Sequence, residues 1–266
     1  MSLLDYLQTD PECQNLAEGA LHAVAPLLDD PDPAPTLDLL EAWAYALAGE
    51  MPLPWSIHGA IDALNHFLFN GIGLQGDRQT YDDPLNAVLP QVIARKRGLP
   101  IALSILWIDL ARRMGLDAVG IALPGHFVTA LRLDVGLLHF DPFNAGRALG
   151  QEEAERIVRR ATQGRVAFDP LMLEPVSHRA ILLRLVRNLY HRFLKLENWQ
   201  DALWTATHQI LLAPHEPDPY RDRAFVHLKR GDVFLGLADL QQAAQIMNAE
   251  DPQLQEWIQK LQEEQE

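Results

Sequence analysis

The period of the apolar positions changes twice along the chain. Up to about residue 113 they recur at helical spacing: Leu39, Leu40, Trp43 and Leu47 form one stripe, and Ile57, Ile61, Leu64 and Leu68 a second. Residues 1–30 read as short helices broken at Pro11 and Pro26. Asp29 to Pro35 (DDPDPAP) reads as a loop, since its prolines remove donors and fix φ. Thr36 is placed to cap the first long helix, which stops near Gly49. A Pro52-Leu53-Pro54 break separates the two stripes, and Asn70-Gly71 ends the second. Gly71, Gly73 and Gly76 make a turn-rich loop, but no GK[ST] follows, so it is no phosphate cradle. Pro84 to Arg97 reads as a helix with a basic end, stopped by Gly98.

From Pro100 a helix runs that is apolar nearly all round, carrying Ile101, Ser104, Ile105, Ile108 and Ala111, and such a helix is buried. Proline suits its first turn, where a missing N–H costs nothing, and Gly115 ends it. The period then drops to two. Val119–Leu123, Phe127–Leu131 and Leu137–Phe140 read as strands, the last two joined by an Asp134-Val135-Gly136 hairpin. His139 and Asp141 lie two apart and can share a face. A short charged helix follows from about Gln151 to Ala161. The fold class is therefore α+β: a helix packed on an antiparallel sheet, with a helical N-terminal part, over residues 1–170.

The helical period returns near Pro175. A spacing of 34 residues relates Ala202 to Gly236 and Ala206 to Leu240, which points to a repeat architecture over residues 175–266. Leu189, Phe193 and Pro214 in the first copy, and Ala224, Gly231, Ala243, Asp232 and Asp239 in the second, give it the look of a tetratricopeptide repeat. The small residues at 202 and 236 let paired helices approach. Two copies are marginal alone, so they need the first domain or a capping helix such as Pro252 to Gln262. His178 to Lys195 carries Arg179, Arg184, Arg187, Arg192 and Lys195 among apolar residues. It reads as an amphipathic repeat helix whose arginines pair with the acidic N-terminal third.

Composition narrows the function classes. The net charge is −14, and no Lys or Arg precedes Arg78, against twelve Asp and Glu there. That balance argues against nucleic acid as a partner, because phosphate contact needs dense cationic surface. The uncharged apolar run Gly98 to Ile108 falls short of the roughly 20 residues of a membrane span. The N-terminus lacks a positive signal-peptide region. One cysteine, Cys13, excludes a disulfide framework and a cysteine zinc cluster and points to a cytoplasmic protein. No cofactor motif is present, and the oligomeric state is left open.

The candidate chemistry lies between Gly125 and Asp141. A carboxylate on the strand next to His126 can orient its imidazole and fix its tautomer, the base-orienter half of a catalytic triad. An enzyme would want a nucleophile at the start of the preceding helix, and Pro100 stands there. Ser104 is one turn further on the same helix face, an alternative nucleophile, although mid-helix serines more often bond back to the helix. His126, His139 and Asp141 could also hold a metal, but HxH and HExxH spacings are absent, and no metal is expected.

LNHFLF at Leu64, YDDPLN from Tyr81 to Asn86, RKRGLPIALSILW, LPGHF and FDPF together resemble the SirB-type invasion-regulator family of bacterial proteins, over roughly residues 35 to 262. The resemblance implies a transglutaminase-like domain with a papain-like core, followed by tetratricopeptide repeats. It also implies a cysteine at the helix start, a histidine on one strand and an aspartate on the next. His126 and Asp141 match the last two, while the cysteine falls on Pro100, which has no nucleophilic atom. Cys13 belongs to a distant segment. The expectation is a catalytically inactive relative. Its groove, around Gly125, His126, His139 and Asp141 with Asn86, would hold a peptide or small ligand, and its repeats would dock a protein partner. The competing expectation is a hydrolase or acyltransferase using His126 and Asp141 with Ser104 or a water as nucleophile.

Overall fold

The computed structural model describes residues 2–10, 14–50, 54–247 and 251–263, so Pro11, Cys13, Pro52 and Leu53 lie outside the described residues. The chain forms two compact units, Met1–Ile181 and Leu182–Glu266. In the first, helices α1 (Leu3–Gln8), α2 (Leu16–Val24), α3 (Ala34–Gly49), α4 (Ile57–Asn65), α5 (Leu89–Arg95), α6 (Pro100–Arg113) and α7 (Gln151–Ala161) accompany seven strands among the described residues. These are β1 (Gln75–Gly76), β2 (Arg97–Gly98), β3 (Ala118–Ile121), β4 (Val128–Leu133), β5 (Gly136–Asp141), β6 (Arg147–Ala148) and β7 (Pro175–Val176). Among the described residues, no helix is long and apolar enough to cross a membrane.

The axis of this unit is α6, buried from Pro100 to Ala111. Even Asp109 is inside, which is tolerable because Asn15 and Arg113 each donate to its carboxylate at 2.7 Å. On one side of α6 lies an antiparallel sheet of order β6-β5-β4-β3-β7, with Trp107 stacked on Phe140 at 5.4 Å. The strand period sends the alternate residues Val119, Ile121, Val128 and Ala130 to the opposite face, where they pack on Ala154 and Val158 of α7. The sheet is thus a middle layer between α6 and α7.

Several boundaries differ from the sequence reading. The helix read as capped by Thr36 starts at Ala34 and has no side-chain cap. Pro35 fits its first turn without losing a bond, and Thr36 is buried inside. Leu39 is exposed, leaving Leu40 and Leu47 as the buried line. The helix expected over Pro84–Arg97 is a 3-10 turn, Pro84–Ala87, followed by α5. Lys96, left-handed at φ 56°, ends α5, and Arg97–Gly98 leaves to pair in parallel with Gln75–Gly76. Gly98 is needed for packing: a Cβ there would stand 2.8 Å from Val92 Cγ1. Beyond α4 the apolar stripe continues as a π-helix, His66–Gly71.

The second unit takes in most of α8 (His178–Lys195), then α9 (Trp199–Leu212), α10 (Pro217–Lys229), α11 (Val233–Ile246) and α12 (Pro252–Glu263). The 34-residue spacing is visible in the backbone, where Glu197 and Gly231 are both left-handed (φ 53° and 84°) just before the capping residues of α9 and α11. A Cβ at Gly236 would come 2.9 Å from the Leu228 side chain, so the glycine sets how closely α11 lies on α10. Leu254 and Ile258 of α12 close the core made by Ala224, Leu240 and Ala243, which is the work of a capping helix. Arg187, expected to face the acidic N-terminal third, bonds Glu216 at 2.8 Å within this unit.

Candidate functional site

The turn between β3 and β4 and the end of β5 bring His126 and Asp141 together. Gly125 is left-handed at φ 73°, and a Cβ there would lie 2.2 Å from Cβ of Ala161. Only glycine lets the end of α7 close on this turn. Pro142 ends β5 and starts a 3-10 turn, Pro142–Asn144, which Asp141 caps. Its Oδ1 accepts from the backbone amides of Phe143 (3.0 Å) and Asn144 (3.3 Å). Its Oδ2 accepts from Asn144 Nδ2 (2.7 Å) and His126 Nε2 (2.9 Å). Burial opposes the charge of Asp141, but the bond and charge of His126 and the bonds from Asn144 outweigh it and hold the carboxyl below its ordinary 3.8. An ionised carboxylate only accepts, so Nε2 of His126 is the donor in this bond.

Phe143 is the hub of the surrounding side chains. His126 and Tyr81 meet its ring edge-on at 5.9 and 6.2 Å, and the Arg78 guanidinium lies 4.9 Å from its centre while donating to Asn144 Oδ1. Gly76 permits this approach, since a Cβ would come 2.5 Å from Phe143 Cδ2. The loop after Phe143 is pinned by Asn65, which donates to the Gly146 carbonyl (3.0 Å) and accepts from Trp107 Nε1 (2.9 Å). Above the pair opens a cavity of 740 Å³, within the range of ligand sites. His126, Asp141 and Phe143 form its floor, Ile157 and Ala161 of α7 an apolar wall, and Arg78, Arg147 and Arg160 its cationic part.

Other residues singled out in the sequence stand elsewhere. Pro100 occupies the first turn of α6, buried and off the cavity wall. Ser104 is fully buried on the α6 side of the sheet, its hydroxyl 3.5 Å from the Phe127 carbonyl, whereas the cavity is walled by α7. This placement removes it from reach of a ligand. His139 shares a sheet face with Asp141 as the strand period requires, but its Nε2 donates to the Leu173 carbonyl at 3.0 Å and it does not line the cavity. The three-residue metal set is therefore not assembled, and among the described residues no group of three His, Cys, Asp or Glu is placed to hold a metal. Asn86, expected to bind ligand, is fully buried and braces the loop before it, donating to Asp77 Oδ2 (3.3 Å) and the Thr80 carbonyl (2.7 Å). That bracing holds the loop from which Arg78 and Tyr81 reach the cavity. Arg78, Arg147 and Arg160 went unremarked in the sequence, where the single available signal was that Arg78 is its first basic residue.

Residues 35–187 match the model of the transglutaminase-like superfamily, and residues 189–258 that of the tetratricopeptide repeat. A UPF0162 protein of Xylella fastidiosa (strain Temecula1) is 37% identical over 69% of this chain and 66% of its own length. A second, from the Xylella strain 9a5c, is 39% identical over 64% of this chain and 61% of its own. The match thus spans under two thirds of these relatives' length. Human F-box only protein 21 is 27% identical over 48% of this chain and 21% of its own. The chain belongs to the transglutaminase-like superfamily, and its second unit is built of tetratricopeptide repeats.

Proposed function

We propose that this protein is a transglutaminase-like binding module without catalytic activity, that its cavity at His126 and Asp141 holds a peptide, and that its repeats dock a protein partner. The observation that carries this is Pro100 in the first turn of α6, the place the resemblance gives to the family's cysteine. A thiolate owes its low pKa to such a helix start, and proline offers no atom to replace it. The burial of Ser104 across the sheet supports the same reading. A cytoplasmic location and a regulatory role, as in the SirB-type proteins, belong to this proposal; the single cysteine supports the first and the sequence resemblance the second.

The second reading is a hydrolase in which His126, oriented by Asp141, activates a water. The 2.9 Å bond to Asp141 and the open cavity favour it. The two are separated by treating the full chain with serine- and cysteine-directed covalent probes and with a panel of peptide, ester and amide substrates, using His126→Ala as the reference. The binding module gives no labelling or hydrolysis that depends on His126. Turnover lost in His126→Ala makes the protein an enzyme and removes the proposal.

A further inference from the structure

We infer that the ligand of this site is an acidic peptide segment, bound extended along an arginine-lined trough. This deepens the proposed function and rests on its reading of the cavity as a binding site. The cavity is continued by two smaller recesses. One, of 430 Å³, shares Arg78, Phe143, Asn144 and Arg147 with it; the other, of 190 Å³, shares Gln75, Gly76 and Arg78 with that one and adds Arg97. Arg160, Arg147, Arg78 and Arg97 are thus distributed along one continuous depression, brought together from four separate stretches of sequence.

The charges facing the trough do not cancel. The side chains of Arg97, Arg147 and Arg160 are exposed and have no bonding partner among the described residues, and Arg78 donates to the neutral Asn144. The carboxylates on the same walls are already engaged. Asp141 accepts from four donors, Glu153 is taken by Arg156, and Asp77 accepts from Thr80, Gln79 and Asn86. Unpartnered guanidiniums in a chain of net charge −14 mark a place where negative charge is received.

Their distribution favours one form of ligand. Three guanidiniums around the main cavity and a fourth in the outer recess suit several carboxylates on one extended chain better than a single small anion. The apolar wall of Ile157 and Ala161, with Tyr81 and Phe143, offers contact for side chains between the acidic ones. A nucleic acid, with a phosphate at each step, would want denser positive charge than four guanidiniums supply.

The test screens the full chain on a peptide array graded in net charge. The best acidic peptide is then measured by fluorescence anisotropy beside its glutamine-substituted counterpart and an oligothymidylate of equal length. Acidic peptides are enriched, the glutamine version binds on the order of tenfold more weakly or worse, and Arg97→Ala, Arg147→Ala and Arg160→Ala each cost on the order of tenfold. Because these side chains are exposed, circular dichroism and Tm stay unchanged. Arg132→Ala, outside the trough, leaves binding as it was. No charge-dependent enrichment, equal binding of the glutamine peptide, or indifference to the arginine replacements overturns the inference. Tighter binding of the oligothymidylate overturns it in favour of nucleic acid. Turnover dependent on His126 would instead remove the non-catalytic reading and leave arginine-dependent binding standing, so the two failures are distinguishable.

Discussion

His126 Nε2 lies 2.9 Å from Asp141 Oδ2, and three further donors converge on the same carboxylate. Asp141 therefore does two things at once: it fixes the imidazole and caps the turn that carries Phe143. Removing it takes the acceptor from the two backbone amides and the Asn144 side chain, whereas removing the imidazole leaves the cap intact. Asp141→Ala is expected to cost about 2–4 kcal/mol and His126→Ala roughly 1 kcal/mol, read from urea unfolding midpoints. The carboxyl is held below 3.8, so its contribution is complete above that pH and is lost as pH falls through the lower folded value. Asp141→Asn should flatten the acid limb of the stability curve.

Gly125 couples the cavity floor to α7. Gly125→Ala places a Cβ in a left-handed backbone and drives it into Ala161. The two penalties together are expected to destabilise the first unit by about 2–4 kcal/mol. Adding Ala161→Gly removes the clash and leaves the backbone strain, so the double variant should regain part of the loss. Thermal unfolding of the two variants measures the split, and no recovery in the double variant would show that the contact is unimportant.

The layers of the fold were legible because each has its own period. The all-round apolar run from Pro100 announced a buried helix, alternation from Val119 announced strands, and the charged stretch Gln151–Ala161 announced α7 at its observed ends. His126 and Asp141 could be paired because the hairpin at Asp134–Gly136 fixes the register that sets β4 beside β5. Two-residue pairings carry no period, so β1 with β2 and β7 with β3 were invisible. Periodicity likewise put His139 on the face of Asp141 but could not tell that Leu173 would cover it. The arginines of the trough come from a loop, two short strands and a helix end, and only the tertiary fold makes them neighbours.

His178 supplies a pH dependence far from the cavity. Its Nε2 stands 2.8 Å from Arg112 Nη1, and Arg112 Nε also donates to the Ala118 carbonyl, tying the end of α6 to β3 and to the start of α8. An arginine only donates, so His178 accepts and must be neutral. Burial, with the charge of Arg112, lowers its pKa from 6.5 to about 4. Between those values the unfolded chain takes up a proton that the folded chain refuses, so stability falls as pH drops from 6.5 towards 4. His178→Gln keeps an acceptor that does not titrate. Its unfolding midpoint should lose less than that of the wild type between pH 7 and pH 4.5, and equal losses would place the acid sensitivity elsewhere.

In the repeat unit an ion pair ties neighbouring helices together. Asp239, which the repeat pattern placed among the polar positions of the second copy, is 6% exposed and accepts both arms of Arg223 at 2.8 Å from the neighbouring helix. A two-pronged pair so enclosed holds α10 and α11 in register, but its net worth is small because both charges left water to form it. Removing one partner is a different matter, since it leaves the other desolvated. Asp239→Ala alone is expected to cost about 2–3 kcal/mol, somewhat under the full penalty for a buried pair because Arg223 keeps part of its side chain in solvent. Arg223→Met with Asp239→Leu should cost clearly less than the sum of the single changes. A double-mutant cycle on the unfolding of the repeat unit reads this directly, and additive losses would mean that the pair contributes nothing beyond its separate side chains.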